Sequence, residues 1–209
     1  MNPLPGRDTQ VCLVSAQATP NITPALDPAM RPRRILLVVS PDMDQRAGWL
    51  TQALEPTGVT VERWPIGDAW DLEHIYERLF ELVAGPLEGV DSALNATGGT
   101  KPMSIAAFQV FRDAGRPVFY VHPEQDRILW LDGSTAPAHP LADQVRLPMF
   151  LQAHGAGVTE PLRQQPVAPE RRAFTAELAR EARHWAGALG QLNALAKEAQ
   201  SHRRLLTAP

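Results

Sequence analysis

The sequence predicts an α/β fold, a three-layer sandwich whose mostly parallel sheet lies between helices and ends in an antiparallel edge hairpin, with a helical extension after it. Three observations predict this. Short apolar runs alternate with stretches of helical spacing from residue 10 to residue 131. The run at 34–40 is continuous rather than alternating, as in strands buried on both faces. The last two runs are joined by a link too short for a crossover helix, so that pair is antiparallel.

In order along the chain, residues 10–15 form the first strand and lead into a polar, Pro-rich loop through Gln17, Thr19, Pro20 and Asn21. Residues 34–40 form the second. Asp42 or Asp44 then caps a helix whose Ala47, Leu50 and Leu54 share a face and which Gly58 stops. Residues 59–64 are the third strand, and Asp71 caps a helix carrying Leu72, Ile75, Leu79, Leu82 and Val83. Residues 90–95 are the fourth strand. Ile105, Phe108, Val110 and Phe111 mark the next helix, which stops at Gly115. Residues 117–121 and 127–131 make the edge hairpin. Strands and helices alternating in this way build βαβ units and a Rossmann-like sheet.

This α/β domain is expected to span residues 1–150, with 151–209 as linker and C-terminal helix. The stretch 132–169 is rich in Pro, Gly and His and reads as loop or linker. From Pro169 onward, Phe174, Leu178, Ala182, Trp185, Leu189, Leu192 and Ala196 recur at three- and four-residue steps. That narrow seam suits packing against a partner helix or a domain.

Composition bounds the function. The 209 residues are 44% apolar and 21% charged, which suits a packed core. A net charge of −3 argues against coating a long polynucleotide, whereas a small anion needs only a local positive pocket. The single cysteine, Cys12, lies in an apolar run and excludes an internal disulfide or a C-x-x-C metal site; it reads as a small buried hydrophobe. Six histidines are scattered without ligand spacing, so neither a metal nor a cofactor is implied. No apolar stretch approaches the ~20 residues of a membrane span, and the N-terminus lacks the pattern of a signal peptide. The expected location is cytoplasmic, with no membrane partner.

One loop carries chemistry. Asn95-Ala96-Thr97-Gly98-Gly99-Thr100-Lys101 joins the fourth strand to its helix, at the carboxyl edge where parallel sheets bind ligands. Gly98 and Gly99 expose backbone N–H groups, Thr100 can cap the helix, and Lys101 adds a full charge at a helix N-terminus. The set suits a phosphate or another anion. Its spacing is neither a Walker A loop nor a G-x-G-x-x-G fingerprint. Of the tryptophans, Trp49, Trp64, Trp130 and Trp185 read as packing; Trp70, in a loop, is open to stacking.

The L-V-S-x-Q-x-x-P-N segment at 13–21 and the N-x-T-G-G-T-K-x-M segment at 95–103 together resemble the CARF domains (CRISPR-associated Rossmann fold) of effectors that pair CARF with a PD-(D/E)-x-K nuclease. The resemblance covers roughly residues 8–150. It implies a homodimer that binds a cyclic oligoadenylate, most often cyclic tetra-adenylate, the messenger of type III CRISPR antiviral systems. It implies further that Ser15, Gln17 and Asn21 line the pocket near ribose and base, while Thr97, Gly98, Gly99, Thr100 and Lys101 face the phosphodiesters. Asn95 either joins them or holds the loop by internal hydrogen bonds.

The family's D…E-x-K arrangement has no counterpart in 150–209, whose only carboxylates are Glu160, Glu170, Glu177, Glu181 and Glu198. The chain is therefore expected to be a sensor cut from a longer effector or a stand-alone CARF protein. Sensing is the favoured function. The alternative is a metal-independent ring nuclease, in which a ribose 2′-hydroxyl attacks while Lys101 and the Gly98–Thr100 amides stabilise the developing charge. A third reading is an unrelated enzyme acting on a sugar phosphate or nucleotide.

Overall fold

A computed structural model of the chain describes residues 7–131, 138–156 and 168–196, apart from 183, 189 and 193. The chain divides into two units, 1–159 and 160–209. In the first, strand β1 (Thr9–Leu13) is followed by α1 (Thr19–Leu26), β2 (Arg34–Val39), α2 (Asp44–Leu54), β3 (Thr60–Pro65) and α3 (Leu72–Ala84). Then come β4 (Ser92–Asn95), α4 (Lys101–Asp113), β5 (Val118–His122), β6 (Arg127–Trp130), β7 (His139–Pro140) and α5 (Leu147–Ala153).

The strands form one sheet in the order β3-β2-β1-β4-β5-β6-β7. The first five strands in that order pair in parallel, whereas β6 runs antiparallel to both β5 and β7. Alternate residues of each strand face opposite sides, and the core is accordingly double. Val11 and Leu13 pack with Ile75 and Leu79 of α3 and Met103 and Phe111 of α4. Cys12 and Val14 pack with Ile22 of α1, Leu50 and Leu54 of α2 and Ala153 of α5. Each large apolar side chain so buried contributes roughly 1.5–3 kcal/mol.

This is the α/β three-layer sandwich with its mostly parallel sheet, as the apolar runs predict. Asp71 caps α3 by accepting from His74 N–H at 3.1 Å. The start of α2 departs from expectation: no side chain caps it, and a short 3-10 turn, Pro41–Met43, leads into it while Asp42 accepts from the Ser40 hydroxyl. Thr19, Pro20 and Asn21, read as loop, are the first residues of helix α1. Pro20 sits in its first turn, where a missing N–H costs nothing. Within 132–169, read as loop or linker, the described residues include β7 and α5, so β7 rather than β6 forms the sheet's edge. In the second unit α6 (Pro169–Arg180) carries Phe174 and Leu178 of the expected seam, and these, like Trp185 and Leu192 beyond it, are exposed. Leu189, Glu160 and Glu198 lie outside the described residues.

A buried carboxylate ties the β7 edge to α1. Asp27, just past α1 and with its side chain 3% exposed, accepts from the N–H groups of Ala29, Met30 and Ala142 at 2.9, 3.1 and 2.9 Å and lies 3.1 Å from His139 Nε2. Burial works to raise its pKa, but the bonds from Ala142, His139 and Ala29 outweigh it and hold the carboxyl below its ordinary 3.8. A folded-state pKa below the unfolded one means stabilisation that is complete above the ordinary carboxylate range and lost as pH falls from there through the folded value. Asp27→Ala, which strands three N–H donors, is expected to cost about 3 kcal/mol in urea unfolding at pH 7. The variant's deficit should shrink between pH 4 and pH 2; a deficit constant with pH would refute the ionised anchor.

Candidate ligand site at the sheet's switch point

β1 and β4 are neighbours, yet α1 after β1 and α4 after β4 lie on opposite faces of the sheet. The loops leaving them therefore diverge and open a crevice at their carboxyl ends, the topological switch point where doubly wound sheets bind ligands. Both sequence motifs flank this crevice. They touch: a Cβ on Gly98 would overlap the Leu13 carbonyl oxygen and approach Ser15 Oγ to 3.4 Å, so only glycine fits. Gly99, with φ +77°, uses the left-handed region.

The floor is a hydrogen-bonded core. Asn95, fully buried, donates through Nδ2 to the Pro20 carbonyl at 2.8 Å and to Asn21 Oδ1 at 3.2 Å. Its Oδ1 accepts from Thr97 N–H at 3.2 Å and from the Thr97 hydroxyl at 2.6 Å. These four bonds are all that an asparagine side chain makes. Asn21, also buried, donates to the Leu13 carbonyl at 3.1 Å, and the Thr97 hydroxyl accepts from Val121 N–H at 2.8 Å. The ends of β1, α1, β4 and β5 are joined in this way. Beside the network, burial pushes the Cys12 thiol up to about 12, against a contact with Asn95 that lowers it. It is the small buried group its apolar run predicts, and no nucleophile.

Above this floor the donors are mainly backbone. The Thr100 hydroxyl caps α4 by accepting from Met103 N–H at 3.3 Å and donates to the Ala69 carbonyl at 2.7 Å. The N–H groups of Gly98, Gly99, Thr100 and Lys101 have no acceptor among the described residues. Four consecutive free donors at a helix N-terminus, with the exposed Lys101 beside them, are the donor set that suits an anion. Gln17 is exposed at the opposite lip, and Ser15 Oγ and the Gln17 backbone close a turn. Of the nine residues singled out in the sequence, the fold gathers all at one edge. Seven lie at the surface of the crevice or in its walls, and Asn21 and Asn95 lie buried beneath it.

Arg46 of α2 was not among them. It donates to the Ala16 carbonyl at 3.0 Å and brings a second cation to the β1–α1 loop. No local pattern marks it, because only the sheet order sets α2 beside that loop. Among the described residues no three His, Cys, Asp or Glu side chains gather as a metal site requires, and no helix is long and apolar enough to cross a membrane.

The family model for the Card1 CARF domain matches residues 9–145, a span that holds both motifs and the whole crevice. The chain belongs to that family. No curated protein matches it in sequence. Among solved structures, this CARF domain is similar to Can2 from Sulfobacillus thermosulfidooxidans in complex with cyclic tetra-adenylate. The two are 28% identical with a TM-score of 0.64, over 92% of this chain and 52% of that one. It is also similar to a type III CRISPR defence DNA nuclease activated by cyclic oligoadenylate, at 26% identity and a TM-score of 0.63, over 87% of this chain and 28% of that one. Protein VC1899 from Vibrio cholerae, 19% identical with a TM-score of 0.69 over 93% and 51%, shares the fold. The chain spans about half the length of Can2 and of VC1899.

The contact at Gly98 gives a direct test. Gly98→Ala drives a methyl into backbone that strand pairing holds in place, and should lower stability in urea unfolding by about 2–3 kcal/mol. Wild-type stability in this variant would mean that the two loops do not meet as described.

Proposed function

We propose that this CARF domain is a sensor of cyclic oligoadenylate, cyclic tetra-adenylate above all, in type III CRISPR antiviral defence. The observation that carries the reading is the row of free N–H groups from Gly98 to Lys101, set beside a lysine at the switch point of a fold shared with Can2. Can2 is in complex with cyclic tetra-adenylate, and the likeness extends to a DNA nuclease activated by cyclic oligoadenylate. In this reading Thr97, Gly98, Gly99, Thr100 and Lys101 meet a phosphodiester, with the two threonines acting through backbone and cap. Ser15 and Gln17 meet ribose and base. Asn21 and Asn95 serve the site by holding both loops at their spacing.

The ligand's two-fold symmetry favours a homodimer in which each subunit offers the same loop to half of the ring. Exposed apolar side chains support this. Trp70 (73% exposed) and Leu72 (51%) precede and open α3, and Ile105 (59%) lies one turn beyond Lys101 on the same face of α4. Residues 1–150 form the sensing domain in this proposal, and 151–209 a linker and helix. Ligand binding shifts the dimer's population and so biases an effector domain of the PD-(D/E)-x-K nuclease group, outside these residues. The protein acts in the cytoplasm and binds neither membrane nor long nucleic acid.

Calorimetric titration with cyclic tetra-adenylate, followed by chromatography of the ligand, tests this. Tight binding with intact ligand is expected; linear products would mean a ring nuclease instead, and no binding of any cyclic oligoadenylate would end the sensor reading. Lys101→Ala should weaken binding at least tenfold, the loss of one charged hydrogen bond. Light scattering after size exclusion should give twice the chain mass, and Ile105→Glu should halve it; a monomeric wild type would end the dimer proposal.

A further inference from the structure

A second opening adjoins the crevice. It is a cleft of about 380 Å³ between the start of α1, the β5–β6 turn and α5, within the roughly 300–1,000 Å³ of small-molecule sites. Gln17 and Pro20 line it, and Pro20 is the residue whose carbonyl Asn95 holds, so the cleft borders the loop that meets the glycine turn. Its far wall is α5. Met149 and Ala153 of that helix pack onto the α1–α2 side of the core, and Gln152 Nε2 donates to Gln52 Oε1 of α2 at 2.6 Å. Thus anchored, α5 presents Phe150 and His154, one turn apart, to the cleft.

These two side chains form a defined pair. Their ring centroids are 4.3 Å apart with planes at 34°, and Phe150 remains 40% exposed. His154 Nδ1 lies 2.8 Å from the Phe150 carbonyl oxygen. A carbonyl oxygen only accepts, so Nδ1 is the donor there, and in that tautomer Nε2 is left as an acceptor. One wall of the cleft therefore supplies a flat apolar face and, next to it, a hydrogen-bond acceptor without a backbone partner of its own.

We propose that Phe150 and His154 form an adenine-selecting pocket: Phe150 stacks on a base of the ring, and His154 Nε2 accepts from its 6-amino group. This rests on the sensor reading and adds to it the residues that choose the base. The N–H groups of Gly98–Lys101 and the Lys101 ammonium read phosphate, which every cyclic oligonucleotide carries; base choice needs contacts to base faces and edges. A hypoxanthine or guanine ring sets a 6-carbonyl against Nε2, acceptor facing acceptor, and leaves both unpaired in the cleft. Sequence spacing marks neither residue, because α5 reaches this wall only by docking on α2.

Affinities of the full chain for cyclic tetra-adenylate and cyclic tetra-inosinate, which differ at the 6 position of each base, test the pocket. The wild type is expected to prefer the adenylate at least tenfold. Phe150→Ala should lose about tenfold or more in affinity for it, as loss of a stacking ring does. His154→Phe keeps an aromatic ring and removes the acceptor, and should bring the two affinities within about twofold of each other. If cyclic tetra-adenylate binds and both variants keep wild-type affinity and selectivity, the pocket is wrong while the sensor reading stands. If the wild type binds neither ring, both fall together.

Discussion

Four hydrogen bonds converge on the side chain of Asn95, and the carboxyl edge of the sheet is assembled around them. In the dry interior an amide left with an open position costs roughly 1–3 kcal/mol. The geometry that fills every position is therefore strongly selected over any neighbouring one. Thr97 N–H only donates and the Pro20 carbonyl only accepts, which settles the orientation of the amide between them. The bonds reach α1 through Pro20, β1 through Asn21 and, by way of the Thr97 hydroxyl, β5. The glycine loop inherits its position from this knot. The chain entering the loop is held on three sides.

The arrangement separates two tasks that a sequence motif runs together. In the proposed function, phosphate recognition falls to backbone N–H groups and one exposed lysine, whose strength depends on placement and not on net charge. A chain of charge −3 can thus hold a local anion site. The polar side chains of the motif mostly face inward. Asn21, Asn95, Thr97 and Thr100 spend their hydrogen bonds on other parts of the protein, and in the proposed function they contribute the shape of the crevice.

Periodicity made the sheet legible. Residues 35–39 are apolar throughout because β2 is covered on both faces, and the seven-residue spacing from Ile75 to Leu82 reflects a single buried stripe on α3. The paired motifs located the crevice for a similar reason, since each occupies a strand end and the topology brings those ends together. What was hidden lacks a local signature. Two prolines disguise α1; β7 is two residues long and α5 seven, too short to show a period. Arg46, Phe150 and His154 reach the site region through packing between elements far apart in sequence. The inward orientation of Asn21 and Asn95 could not be read either, because a buried asparagine and a ligand-binding one are the same letter.

Pro24 shows how far this goes. In an unbroken helix the residue at position 24 would donate its N–H to the carbonyl of Pro20, four residues earlier. Proline has no N–H, and that carbonyl accepts from Asn95 instead. The residue contributes by abstaining. It keeps an acceptor vacant inside a helix so that a strand some 75 positions away can dock there. A census of contacts made by Pro24 would record only its buried ring and miss its part in joining α1 to the sheet. Its part in the fold is a bond it does not make, which eases the approach of its partner's partner and leaves no trace at the residue itself.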